Sequence, residues 1–160
     1  MKASPKEPMV IYADTREQLI PPFPDGVKIV RQCMGEGDYS TPLLLDTARI
    51  ERKAPGDFAS TITWERDRFE RELARLLPFR WKCIVVESDF DQVFVGSRIH
   101  PHAVLGAIAS LLARWDVPVL FAGSPEGAGR LMAGLLRRWE QRVKGEAAWG
   151  TNPNKAAEGA

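Results

Sequence analysis

Residues 82–88, KCIVVES, constrain the fold more than any other stretch of the chain. Cys83 to Val86 is a continuous apolar run, too short for a helix and rich in β-branched side chains. Side chains of a strand alternate between its two faces. A strand apolar on both faces must be covered on both, which predicts a central strand sandwiched between helical layers. MVIYAD (9–14) reads as a second buried strand, ending at Asp14, and VPVLFAG (117–123) as a third.

The remaining elements fall around these. REQLIPPFPDG (16–26) is a loop broken by three prolines and closed by a Pro-Asp-Gly turn. VKIVRQC (27–33) alternates with period two and reads as a strand. The glycine-rich turn GEGD leads into a strand expected over YSTPLLL (39–45), and TARIERK (47–53) is the next. A short helix is expected to open at APGDFASTIT (54–63). An amphipathic helix is expected from Trp64 to Leu77, with Phe69, Leu73, Leu76 and Leu77 on one face. In the second half, His100–Trp115 carries Val104, Leu105, Ile108, Leu111, Leu112 and Trp115 at helical spacing. Ser124 is the expected N-cap of a last helix, with Pro125 at its first position. Its stripe of Leu131, Met132, Leu135, Trp139 and Val143 runs to about Lys144. The order predicts one α/β domain over 9–144 with a mixed central sheet flanked by helices, a flexible N-terminus over 1–8 and a disordered tail over 145–160.

Bulk properties exclude several classes. No apolar run is long enough to span a bilayer, and MKASPKEPM lacks the apolar core of a signal peptide. Cys33 and Cys83 form neither a CxxC pair nor a zinc spacing and are both expected to be buried free thiols. A cytoplasmic or nucleoid-associated protein, not a secreted one, is the expectation. The formal net charge is only +1, so any nucleic-acid surface must come from clustering. Arg66, Arg68, Arg71, Arg75, Arg80 and Lys82 supply such a cluster, although Glu65, Glu70 and Glu72 alternate with them and part of it is i,i+4 pairing. The pair His100 and His102 reads as a loop entering a helix, not as a metal site, and GSPEG as a helix cap.

The sequence RIERKAPGD (49–57) carries the chemistry. Alternation puts Glu51 and Lys53 on one face and Arg52 on the other. A hairpin between the neighbouring strands would bring Asp38 beside Glu51. Two carboxylates held that close repel unless a cation separates them, and an oxygen-only donor set suits Mg²⁺ or Mn²⁺. Such a metal polarises a phosphate and acidifies a water, while the lysine orients that water or neutralises developing charge. With 27% charged residues, this pattern alone is weak, and a solvated strand face is the competing reading.

The surrounding motifs add specificity. GDYS…IERKAPGD resembles the G-D-(x)n-E-R-K-x-x-x-D signature of the XPF/excision-repair type of structure-specific endonuclease, with Gly37-Asp38, Glu51-Arg52-Lys53 and Asp57 in place. ADTREQ is similar to the family's first-strand D-x-R-E, with Asp14, Arg16 and Glu17. DRFERELARL resembles its Gly-Arg-aromatic helix start through Arg68 and Phe69, with Asp67 where the family has glycine. CIVVES matches the strand ending in glutamate, here Glu87, and residues 117–138 resemble the last strand and helix. The resemblance covers roughly residues 9–143.

It implies a restriction-endonuclease-like core and Mg²⁺- or Mn²⁺-dependent cleavage of branched DNA (flap, fork or junction) in repair or recombination. It also implies a homodimer, expected here through the helices around Leu105–Trp115 and Leu131–Trp139. Asp38 and Glu51 are the expected metal ligands and Lys53 the catalytic lysine. Asp14 is either a further ligand, directly or through water, or a strand-end cap. Asp57 touches the metal's water shell or caps the following helix. Arg16 faces the scissile phosphate or pairs with Glu17 or Asp57. Arg52 is a buried structural arginine whose carbonyl could complete the metal's coordination. Arg68 is the expected phosphate contact, with Arg66, Arg71 and Arg75 beside it. The chain leaves no room for the tandem helix-hairpin-helix domain of flap-cutting relatives, so an accessory DNA-binding protein is a further expected partner. Two alternatives stand beside the enzyme: a non-catalytic DNA-binding subunit of a heteromeric nuclease, and a duplex or four-way-junction nuclease of the same core.

Overall fold

The computed structural model describes residues 7–95 and 98–149. Six strands form one mixed sheet in the order β2-β1-β3-β4-β5-β6. They are β1 (Met9–Asp14), β2 (Val27–Gln32), β3 (Tyr39–Ser40), β4 (Ala48–Lys53), β5 (Trp81–Val86) and β6 (Val119–Phe121). β1 pairs in parallel with β2, and β4 with β5 and β5 with β6 likewise. The two-residue β3 is antiparallel to both of its neighbours and joins the two halves. β5 is an interior strand covered on both faces, as its apolar run predicts, with Cys83, Ile84, Val85 and Val86 all buried, but it lies second from the β6 edge and not at the centre of the sheet.

Helices α1 (Pro55–Thr63), α2 (Arg66–Leu76) and α3 (Pro101–Trp115) cover one face of the sheet, and α4 (Pro125–Trp149) covers the other. The first core contains Phe58, Phe69, Leu73, Ile84, Val86, Val104 and Val117. The second gathers Ile11, Tyr39, Ile50, Cys83 and Val85 beneath Met132 and Leu136 of α4. Ser124 caps α4 as expected, its Oγ accepting the Gly127 N–H at 3.0 Å. The start of α4 lies so close to the proline loop that a Cβ on Gly129 would meet the Pro22 carbonyl oxygen at 1.9 Å.

Several sequence expectations need correction. The strand expected over 39–45 ends at Ser40, and Pro42–Leu44 forms a 3-10 turn instead, because Pro42 has no N–H for a ladder and a fixed φ. α2 is shorter than 64–77, leaving Trp64 and Leu77 exposed. Cys33 lies beyond the end of β2 and is exposed, while Cys83 is buried, with its thiol pushed up to about 12 by desolvation. α4 does not stop at Lys144 but runs through residue 149. The extension carries no apolar stripe; Glu146 anchors it, accepting from both Arg80 Nη atoms at 2.6 and 2.7 Å. Arg80 in turn lies over the Trp81 ring, which stacks on Trp139. Residues 1–6 and 150–160, expected to be flexible, lie outside the described residues.

The α4 contact yields a test. Gly129→Ala drives a methyl into backbone, which cannot swing aside as a side chain can, so the chain should lose about 1–3 kcal/mol of stability, the usual cost of overpacking. Gly134→Ala, where a Cβ meets nothing within 4 Å, should be neutral or slightly stabilising. Urea denaturation of the two variants checks the contrast.

Candidate active site

The site begins just before β3. The main chain of Asp38 is held from both sides: its carbonyl accepts the Asp14 N–H at 2.8 Å, and its N–H donates to the Ile50 carbonyl at 2.9 Å. Gly37 precedes it at φ +67°, a conformation that favours glycine, and a Cβ there would press on the Arg49 side chain at 3.0–3.4 Å. β4 outruns the short β3, so its last residues have no strand partner on that edge. The Asp38 carboxylate takes the vacant place, its Oδ2 accepting the Arg52 N–H at 2.8 Å.

Glu51 and Lys53 point from β4 to the same face as alternation predicts, with Lys53 Nζ 3.0 Å from Glu51 Oε1. Asp38, Glu51 and Lys53 therefore meet. They line a polar cleft of about 350 Å³ with Glu17, Asp57, Arg68 and Glu72. The cleft continues into a second recess of about 240 Å³ bounded by Arg16, Glu36 and Arg75. Burial, and then the Glu51 charge, push the Asp38 carboxyl up to about 8. Burial also raises Glu51, against the opposing pull of Lys53. Burial disfavours the Lys53 cation, but Glu51, Glu72 and Asp38 outweigh it and hold the ammonium above its ordinary range.

The other expected residues divide. Asp14 is fully buried and does not join the pair. Its Oδ1 accepts from the Arg16 N–H at 3.0 Å and from Arg16 Nε at 2.6 Å, and its Oδ2 accepts the Met34 N–H at 2.9 Å. Burial alone would raise this carboxyl, yet these bonds hold it below its ordinary value. These bonds occupy both carboxylate oxygens at the end of β1, as a strand-end cap would. Arg16 pairs with Asp14 instead of Glu17 or Asp57 and remains largely exposed at the mouth of the cleft. Asp57 lines the cleft from the first turn of α1 but does not cap it, since the N-cap residue is Ala54. Arg52 points away from Glu51 and is clamped by Glu17 at 2.7 Å and Glu87 at 2.9 Å. Arg68 and Arg75 reach the cleft, Arg66 turns to an apolar cavity between α2 and α3, and Arg71 is exposed on neither.

Two residues that the sequence reading named only in other roles also line the cleft. Glu72 lines both recesses and contacts Lys53 at 3.6 Å and Arg68 at 3.2 Å. Its signal was its place beside Leu73, at the border of the α2 apolar stripe and three residues beyond Phe69. Glu17 accepts from both Arg52 and the Tyr39 hydroxyl, the latter at 2.8 Å. Among the described residues, no group of three or more His, Cys, Asp or Glu side chains is gathered to hold a metal. Asp38 and Glu51 are thus a two-carboxylate, all-oxygen donor set. Their shared burial and repulsion are what a divalent cation would relieve, so the residues present fit Mg²⁺ or Mn²⁺.

Residues 13–135 match the model of the ERCC4 domain. The chain belongs to the ERCC4 domain family. Its fold is that of the XPF nuclease domain: XPF from Aeropyrum pernix in complex with DNA superposes with a TM-score of 0.68 at 24% identity, over 84% of this chain and 66% of that one. A second structure of A. pernix XPF gives 0.66 at 26% identity, over 79% and 64%. A Methanocaldococcus jannaschii protein that carries the name of an ATP-dependent RNA helicase is 26% identical over 88% of this chain, which spans 17% of that protein. The chain therefore spans about two thirds of the XPF chains it matches and a small part of the helicase-named relative. The restriction-endonuclease-like α/β core expected from the sequence is the observed one.

The carboxylate pair predicts a pH signature. Asp38 is raised from an ordinary 3.8 to about 8, so the folded chain keeps a proton there that the unfolded chain releases. Stability without metal should fall as pH rises through that window. Asp38→Asn, which keeps an acceptor for the Arg52 N–H, should melt above the wild type at pH 8 in chelator, by roughly 2–4 °C per kcal/mol relieved. The gap should close toward pH 4. Mn²⁺ should raise the melting temperature of the wild type and leave that of the variant nearly unmoved.

Proposed function

We infer that the protein is a metal-dependent DNA endonuclease that hydrolyses phosphodiester bonds in branched DNA. The observation that carries this is the convergence of Asp38, Glu51 and Lys53 in one polar cleft, within the residues that match the ERCC4 domain. Asp38 and Glu51 would hold Mg²⁺ or Mn²⁺, with the Arg52 carbonyl as a further oxygen donor. When bound, the metal lowers the pKa of a water and polarises a phosphoryl oxygen. Lys53 acts as a cation and hydrogen-bond donor, not as a proton acceptor, because its neighbours keep it charged. It is placed to neutralise the charge that grows on the phosphate. Glu51 and Glu72 hold its ammonium in position. Arg68, Arg75 and Arg16 edge the cleft where flanking phosphates would lie. DNA in complex with a structural relative supports the substrate class.

A homodimer fits the exposed Leu105 and Leu112 on α3. Leu131, Leu135 and Trp139 of α4 pack against this chain's own core, so the dimer surface proposed here is that of α3. No helix of the described residues is long and apolar enough to cross a membrane, in keeping with action on DNA in the cytoplasm or nucleoid.

Cleavage of labelled flap, fork, four-way-junction and linear DNA tests this reading. Asp38→Ala, Glu51→Ala and Lys53→Ala should each lower the rate by on the order of 10²–10³, comparable to removing one preorganised stabilising group. Chelator should abolish cutting, and branched DNA should be cut faster than linear duplex. Full activity of Asp38→Ala, or activity in excess chelator, would overturn it.

The same surface predicts how DNA is held. The arginines around the cleft touch phosphates and read no base edges. Affinity should be sequence-independent, with its logarithm falling by roughly 0.9 per neutralised phosphate for each decade of salt. Arg68→Ala should reduce that slope and weaken all DNAs alike in a gel-shift salt series.

A further inference from the structure

A second cavity, of about 660 Å³, lies across α1 from the cleft, within the volume range of small-ligand sites. Gly56, Ala59 and Ser60, spaced i, i+3, i+4, line it from one face of α1. A Cβ added at Gly56 would meet nothing within 4 Å, so this floor is open. Ser60 also lines the Asp38–Glu51–Lys53 cleft, so the two recesses meet over that residue. The walls are aromatic and aliphatic: Trp64, 84% exposed where α1 ends, with Val95 and Ile99 opposite. Single exposed apolar residues are ordinary, but a large aromatic ring and an exposed valine sharing one cavity form a patch that water covers poorly.

The polar groups at this cavity suit a nucleotide. Arg98 lines it and makes no ion pair among the described residues, whereas Arg66, Arg68 and Arg75 of α2 are each committed to a glutamate. Gln92 Oε1 accepts the Asp89 N–H, which leaves its amide N–H₂ without a partner among the described residues. A flat aromatic face, an uncommitted guanidinium and an amide donor match a π-face, a phosphate and a base edge. A base inside a duplex has both faces stacked and its pairing edge occupied, so only an unpaired base can use such a platform.

We propose that Trp64 is a specificity-determining residue that stacks an unpaired nucleobase of the DNA substrate beside the cut, with Arg98 on that nucleotide's phosphate. The inference rests on the nuclease reading and extends it. It gives the chain a way to recognise a branch that depends on single-stranded character instead of base sequence. The Trp64 ring projects into solvent, so its replacement leaves both cores intact.

The test is equilibrium binding of the full chain, in chelator so that no strand is cut. The probes are a fork with unpaired arms, a single strand and a fully paired duplex of the same sequence. Trp64→Ala should weaken binding to the fork and single strand by at least about fivefold, the lower end of the effect of one base stack. Binding to duplex should not change, and Trp64→Phe should keep most of the wild-type affinity. Arg98→Ala should weaken the same two probes. Removing one base from an unpaired arm should reproduce the loss in the wild type and add nothing in Trp64→Ala. Equal weakening of all three DNAs, no weakening of any, or additive losses with the abasic arm would overturn the proposal. If the wild type binds and cuts branched DNA while Trp64→Ala weakens fork, single strand and duplex alike or weakens none of them, the stacking role alone falls. If the wild type binds none of the probes, the nuclease reading falls with it.

Discussion

Everything at the site depends on how the main chain of Asp38 is fastened. One residue bridges the two halves of the sheet, accepting the Asp14 N–H and donating to the Ile50 carbonyl. Beyond it the halves separate, and the outer edge of β4 is left with backbone groups to satisfy. A buried N–H without an acceptor costs about 1–3 kcal/mol, and the Asp38 carboxylate meets that need for Arg52. The aspartate is thus built into the sheet, and its position is set by ladder geometry more than by its own rotamer. Glu51 follows from the same constraint, because the pleat of β4 turns residues 51 and 53 toward the side where Asp38 stands.

The arrangement concentrates negative charge where solvent is scarce. Asp38, Glu51, Glu72 and Glu17 surround the cleft, and the cations near them have separate duties. Arg52 compensates Glu17 and Glu87 and ties β4 to the segments that follow β1 and β5. Arg16 neutralises Asp14. Lys53 is the cation placed between Glu51 and Glu72. Burial first, and the neighbouring carboxylates after it, hold both Asp38 and Glu51 above the ordinary carboxylate range. A structural ion-pair network would arrange charges to cancel; here the frame holds two buried carboxyls together with too little positive charge beside them.

Much of this was legible in the sequence because it depends on period and order. The apolar run at 83–86 identified a strand covered on both faces, and the E-x-K spacing put Glu51 and Lys53 on one face. Asp38 could be brought to them because it follows a glycine turn at the head of a strand that a hairpin could join to the one carrying Glu51. What stayed hidden depends on tertiary partners. Asp14 at a strand end has the same local sequence whatever it holds, and the Met34 N–H it accepts comes from a loop 20 residues away. Glu72 looked like one more charge on a helix, until packing of α2 turned it into the cleft. The end of α4 was missed because Arg80, 66 residues distant, supplies the ion pair that holds it. The Pro42 turn was available in principle, since a proline in a presumed inner strand argues against the strand.

The central claim is that the frame holds Asp38 and Glu51 together for a divalent cation. Calorimetric titration of Mn²⁺ in buffers of different ionisation enthalpy tests it directly, because a metal must displace the protons that the raised carboxyls retain. The account predicts saturable binding with net proton release near pH 6.5, release that diminishes as pH rises past about 8, and loss of both binding and release in Asp38→Asn. Binding without proton release, or equal binding by the wild type and Asp38→Asn, would contradict it.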